Sequence, residues 1–191
     1  MSNHSRYFRL KEDVQAGNWY LGEPLNGQGR EPEDIREFSS GRPVRSDGRL
    51  TLSVREPGRQ RDFSMAGVGM TPVVHIRVAA IFAELAPNDV QLIPLNLNGH
   101  PDEYQILVAT KVVRCIDDNA SNEVEFWLPE DARPDKLGQY RNVVDMRIDR
   151  TKVGNTKVFR TWGWTVALIV SEDIKVALEH AKVTGAKFEE V

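Results

Sequence analysis

Two helical stripes, set in a chain otherwise built of short β-type segments, constrain this sequence more than any other feature. Val74, Val78, Ile81, Phe82 and Leu85 recur at the spacing of one helix face. Thr71 reads as the N-cap of that helix, Pro72 as its first residue, and Pro87 stops it near Ala86. The second stripe is Ile174, Ala177, Leu178 and Ala181, capped by Ser171 and stopped by Gly185. Around them, residues 7–10, 19–21, 50–54, 90–97, 104–116, 123–128, 143–148, 157–162 and 164–170 read as strands, with a last short one at 187–191. Residues 104–116 form the longest of these, and 123–128 is expected to pair with it across the polar loop 117–122. Pro94 places the 90–97 strand at an edge or a bulge.

This alternation predicts an α+β fold: a mixed, mostly antiparallel sheet with two main helices, both packing on one sheet. Residues 1–70 differ in texture, with turn signals at Asn26-Gly27 and Asp47-Gly48 and the aromatics Tyr7, Phe8, Trp19, Tyr20, Phe38 and Phe63. They read as a β-rich strand-and-loop lobe in front of an α+β core at 71–191, the whole forming a single domain of 191 residues.

Composition excludes several classes. Apolar residues make up 40% and charged residues 28%, which is neither disordered nor collagen-like. A formal charge of −3 gives no overall cationic footprint for nucleic acid, although Arg42, Arg45, Arg49, Arg55, Arg59 and Arg61 cluster against Asp47 and Glu56 alone. The start, Met1 to Phe8, lacks the apolar core of a signal peptide, and the 164–170 run is far too short to span a bilayer. One cysteine, Cys115, forms no internal disulfide, so a reduced, cytoplasmic setting is expected.

Reactive groups are sparse. Gly67-Val68-Gly69 precedes the predicted helix, where a phosphate cradle would lie, but the third glycine of a dinucleotide fingerprint falls on Pro72. The Asp117 loop begins like a calcium loop, yet its sixth position is Asn122 and its twelfth Leu128. His4, His75, His100 and His180 show no zinc spacing. A small hydrolase or transferase would have to recruit Cys115 with His100 and Asp102 or Asp117. Cys115, however, follows Val112 and Val113 in a predicted strand, where it serves as a small hydrophobe. No catalytic group, metal or cofactor is therefore assigned.

One charge feature stands out. Asp117, Asp118, Glu123, Glu125, Glu130, Asp131 and Asp135 face Arg133 alone over residues 117–135, a balance of −6. A solvated face accounts for such a run; a steering patch for a cationic partner is the alternative. Trp127 lies within it and could be an interface anchor or core.

The order of motifs carries a resemblance. Trp19-Tyr20-Leu21-Gly22-Glu23-Pro24, Phe38 and Gly41-Arg42-Pro43-Val44 lead to the helix from Thr71. Asp89 to Pro94, Tyr104 to Val108, Val113 to Asp117 with Ser121, Val158-Phe159-Arg160, the Trp164 strand and Val170 to Lys175 follow. The chain resembles the myxobacterial-type immunity-protein family of bacterial polymorphic toxin systems, formerly a domain of unknown function, and does so best from Thr71 onward. The resemblance implies a non-enzymatic inhibitor with one dedicated partner, a cognate bacterial toxin domain, and supplies no catalytic motif. On this reading Asp117, Asp118, Glu123, Glu125, Trp127, Glu130 and Asp131 are the partner-binding residues, and self-association is left open. The rival readings are the Cys115/His100 enzyme and a nucleic-acid-binding module using the arginines of 42–61; the latter lacks interleaved aromatics.

Overall fold

A computed structural model describes residues 6–46 and 48–191, together with the backbone but not the side chain of Asp102; His4 and Asp47 lie outside it. The strands are β1 (Tyr7–Glu12), β2 (Tyr20–Leu21), β3 (Leu50–Leu52), β4 (Val54–Glu56), β5 (Phe63–Ala66), β6 (Thr71–His75), β7 (Val90–Leu97) and β8 (His100–Ala109). They continue as β9 (Val112–Val113), β10 (Glu123–Phe126), β11 (Tyr140–Val144), β12 (Val158–Thr161), β13 (Trp164–Ser171) and β14 (Ala186–Glu190). Helix α1 is Ile76–Leu85 and α2 is Glu172–His180. The fold is α+β and mostly antiparallel.

Two five-stranded sheets organise it. The first runs β14-β1-β13-β12-β9 and the second β3-β7-β8-β6-β5; only β12–β9 and β3–β7 pair in parallel within them. Each sheet has core residues on both faces, which is why the inner strands β8 and β13 read as nearly continuous apolar runs. In β8, Leu107 and Ala109 face one core while Ile106 and Val108 face another. In β13, Leu168 and Val170 join the central core while Ala167 and Ile169 face the opposite way. The central core holds Phe8, Phe63, Val78, Phe82, Leu168, Ile174 and Leu178. Helix α1 rests on β6–β8, α2 on β1 and β13, and the helices touch each other. They therefore fill the space between two sheets; the expectation of one shared sheet is corrected.

Several local expectations change for stated reasons. Thr71–His75 is strand β6, hydrogen-bonded to β5 and β8, and α1 begins one residue later. Its N-cap is His75, whose Nδ1 accepts from the Arg77 amide at 3.2 Å. Pro72 is tolerated because the β8 ladder starts only at Val73. Val74 still joins the core of Val78 and Phe82, so the stripe has the right members in two conformations. The 104–116 run is not one strand: β8 ends at Ala109 in the second sheet and β9 belongs to the first. Residues 50–54 likewise divide between β3 in the second sheet and β4 paired with β2. The β10 strand pairs with β11, not with β8. Pro94 lies one residue before β3 starts to pair, so β7 is an edge up to that point. The left-handed residue closing α2 is Lys182; Gly185 is required instead because a Cβ there would lie 2.2 Å from the Phe63 carbonyl oxygen.

A polar staple at Asp62, just ahead of β5, ties α1 to the segment that follows α2. Arg77 donates through Nε and Nη2 to Asp62 at 2.9 and 2.5 Å, and Thr184 donates to the same carboxylate through N and Oγ1 at 2.8 and 2.7 Å. Burial pushes the Asp62 carboxyl up, but the Arg77 and Thr184 hydrogen bonds and the Arg77 charge outweigh it and carry it down to about 2. A carboxyl lowered in the folded state stabilises above its unfolded pKa, and that contribution is lost as pH falls through the folded value. Asp62→Asn should therefore be less stable than the parent at neutral pH by about 1.5–3 kcal/mol, the worth of hydrogen bonds to a charged group. Urea unfolding from pH 7 to pH 2 should show the two proteins converging below roughly pH 4, near the unfolded carboxyl value. A gap that stays constant to pH 2 would show that the carboxylate charge is not what Asp62 contributes.

Candidate interaction surface

The β10–β11 hairpin stands apart from both large sheets. Val124, Tyr140 and Val143 turn toward the first sheet, in the cluster with Phe159 and Ile169. Tyr140 seats the hairpin: its amide donates to the Gly163 carbonyl at 3.2 Å and its hydroxyl to Asp118 at 2.7 Å. Gly163, between β12 and β13, holds a φ of 73° that favours glycine, and a Cβ there would press on the Tyr140 ring at 3.0 Å. The tight turn at Gly163, which joins the antiparallel pair β12–β13, is thus the platform for the hairpin.

Beyond Phe126 the chain makes two short 3-10 turns, Pro129–Asp131 and Pro134–Lys136, before returning at Tyr140. The Trp127 amide donates to Gln139 O at 2.9 Å and the Gly138 amide to Trp127 O at 3.2 Å, which closes the hairpin end between Trp127 and Gly138–Gln139. Leu128 is 49% exposed, Leu137 54% and Phe126 38%. Phe126 stacks at 4.9 Å on Tyr140. The half-buried Trp127 ring is flanked by Arg133, Lys136 and Arg141, at 5.9, 5.1 and 5.5 Å from its centroid. Beside the hairpin, Arg114 lies 4.2 Å over the Trp162 ring.

The acidic segment does not act as one patch. Asp117 accepts from the amides of Asn119 and Ala120 in its own turn, both at 3.1 Å. Asp118 holds Tyr140. Asp131 caps the Leu128 amide at 2.8 Å and pairs with Arg141 at 3.0 Å. Asp135 pairs with Arg133 at 2.8 Å, and that hydrogen bond lowers its carboxyl. Glu123, Glu125 and Glu130 are exposed and make no ion pair among the described residues. Lys136 and Arg141 lie just past the acidic run, so residues 117–141 carry −4 and present both signs. The missed residues are Phe126, Leu128, Leu137, Lys136 and Arg141. Hairpin geometry gathers them, and a charge count that stops at Asp135 does not see it.

The other chemistry lies elsewhere. Cys115 is fully buried, and burial pushes its thiol up to about 12. It sits with Tyr7 and Phe159 beyond the first sheet, whereas His100 packs on Trp19 and Tyr104 beside the second. The two are not brought together. The Gly67–Gly69 turn is filled from within: Glu23 accepts from the Val68 amide, and a Cβ on Gly67 would lie 2.2 Å from its carboxyl carbon. A strand, not a helix, follows that turn. Arg59 donates to Ala16 O at 2.7 Å and Arg61 to Asn18 at 2.6 Å, leaving Arg42, Arg45 and Arg55 dispersed on the surface.

The exposed end of the hairpin thus carries aromatic and basic side chains side by side. Residues 77–191, more than half of the chain, match the family model described as Immunity protein family (Imm11). The chain belongs to that immunity-protein family. The match covers the part where the resemblance of motifs is strongest; Trp19 to Pro24 and Gly41 to Val44 precede it. A comparison with curated proteins finds no match. Among the described residues, no helix is long and apolar enough to cross a membrane.

Proposed function

We propose that this chain is a cytoplasmic immunity protein that neutralises a cognate secreted toxin by binding it stoichiometrically, with the end of the β10–β11 hairpin as its contact surface. Residues 1–191 act as one domain in this reading, and no catalytic step is involved. The observation that carries it is the exposure of Phe126, Leu128 and Leu137 around Trp127, on a hairpin whose own packing leaves them uncovered. Trp, Tyr and Arg are the residue types that dominate binding energy at interfaces, usually inside a rim of polar groups. Glu123, Glu125 and Glu130 supply such a rim here.

Co-expression with the toxin encoded beside it should protect cells, and protection should titrate out once active toxin exceeds the inhibitor in molar terms. Purified components should form a complex of fixed ratio. Protection that persists under a large molar excess of toxin would defeat the stoichiometric reading and favour an enzyme.

A further inference from the structure

The β10–β11 ribbon is closed on one side only. Strand β11 runs beside the β12–β13 turn, where the Tyr140 amide donates to the Gly163 carbonyl. Strand β10 has β11 as its single ladder neighbour among the described residues. Alternate residues of such an edge strand turn their N–H and C=O groups away from the ladder. Among the described residues, no isolated bridge and no side chain bonds the backbone of Glu123–Phe126. Other sheet edges are answered from within. Leu25 bridges Thr51 on β3, and the Phe63 amide on β5 donates to Thr184 O at 3.1 Å. On β14, Glu189 pairs with Lys11 and Glu190 with Arg150.

The side chains of β10 decide what that edge accepts. Val124 turns toward the first sheet, so Glu123 and Glu125 stand together on the opposite, outer face. Both are exposed, and neither makes an ion pair among the described residues. A strand laid along β10 brings its own outer-face residues within about 4.5–5.5 Å of these glutamates, Cβ to Cβ, where opposite charges attract and like charges repel. A second copy of β10, laid antiparallel along the edge, sets glutamate against glutamate and is rejected on that ground. Beyond Phe126 the sign changes, with the Lys136 ammonium 5.1 Å from the Trp127 ring centroid. There the exposed Phe126 and Leu128 offer apolar contact instead.

We propose that the open edge of β10 takes up a strand of the toxin by β-sheet addition, turning the two-stranded ribbon into three. That strand carries Lys or Arg at two alternate positions, beside Glu123 and Glu125, and then an apolar residue against Phe126. Main-chain hydrogen bonds supply the binding, and the alternate side chains supply the selectivity. The proposal rests on the hairpin being the toxin contact, and it names the partner element that the hairpin reads.

The test is amide hydrogen exchange, read by NMR on the isotope-labelled full chain, free and in complex with the purified toxin domain encoded beside it. Alternate amides of Glu123–Phe126 should exchange fast in the free chain and slow by about 100-fold or more in the complex. Backbone protons of β10 should also show intermolecular nuclear Overhauser contacts to one toxin segment. Glu123→Lys with Glu125→Lys should raise Kd by about tenfold or more, since like charges then face each other, while the urea midpoint stays near that of the parent. A complex in which β10 exchanges as in the free chain overturns strand addition and leaves the toxin reading standing. Protection of β10 with undiminished affinity in the Lys pair overturns the cationic strand. If the Lys pair does not fold, the contacting toxin segment decides: residues other than Lys or Arg beside Glu123 and Glu125 overturn the proposal. No complex at all removes the toxin reading, and strand addition falls with it.

Discussion

Phe82→Ala should lower the unfolding free energy by about 3–5 kcal/mol, a large share of the roughly 5–15 kcal/mol that holds a domain together. Phe82 is fully buried on α1, where the two sheets and α2 converge on Phe8, Phe63, Leu107 and Leu178. Truncation removes a ring from a site walled by strands on both sides, and strands fixed by their ladders collapse poorly into a void. Leu178→Ala, on the facing side of α2, should cost about 2–5 kcal/mol for the same reason. Val176 is 53% exposed on that helix, and Val176→Ala should stay within about 0.5 kcal/mol. Urea unfolding measures all three: the midpoint should fall steeply for the first two at unchanged slope. An unmoved midpoint for Phe82→Ala would mean that the helices are not the filling between the sheets.

Phe82 and Leu178 also show what was legible in the sequence. A helical stripe reports which residues must be buried, and Val74, Val78, Phe82, Ile174 and Leu178 of the two stripes are in the core, with Ile81 and Leu85 packed against it. It does not report how many surfaces bury them, so two sheets were read as one. The same limit produced the 104–116 strand. Ile106 to Ala109 and Val112-Val113 are both apolar and β-prone, and the sheet change at Thr110-Lys111 is set by β9 pairing with β12, a contact some fifty residues away in sequence. Thr71-Pro72 carries real helix-start chemistry, but the β-branched Val73 and Val74 that follow satisfy their amides across β5 and β8 instead. Here pairing in the sheet overrode the local signal.

The surface was legible in part. Trp127 and the acids around it were picked out by composition, whereas the role of each acid depends on hydrogen bonds that composition does not encode. Asp117 is a turn former and Asp118 a support for Tyr140. Asp131 is both a cap and an ion pair. Glu23 was not singled out for chemistry, and only the fold shows that it fills the turn at Gly67 from forty-odd residues upstream.

Trp127→Ala should weaken binding of the toxin proposed as partner by about 2–4 kcal/mol, roughly 30- to 1,000-fold in Kd, as for an aromatic anchor at the centre of an interface. The loss should appear mainly as faster dissociation. Leu128→Asp with Leu137→Asp, which alters exposed positions only, should weaken binding comparably while leaving the urea midpoint near that of the parent. The free acids should behave differently. Glu123→Gln, Glu125→Gln and Glu130→Gln together remove charge from the rim, where it acts on encounter more than on residence. Association with a basic toxin should slow at low salt, and the difference should shrink as the Debye length falls from about 10 Å at 0.1 M toward 3 Å at 1 M. Asp118→Asn, by contrast, should act through Tyr140 and the seating of the hairpin, insensitive to salt. Stopped-flow association and dissociation across that salt range separate the three behaviours. A folded Trp127→Ala protein that binds with parental affinity would remove the hairpin end from the interface while leaving the family assignment intact. Slow association at every salt concentration in the triple Gln variant would show that the glutamates make direct contacts instead of steering.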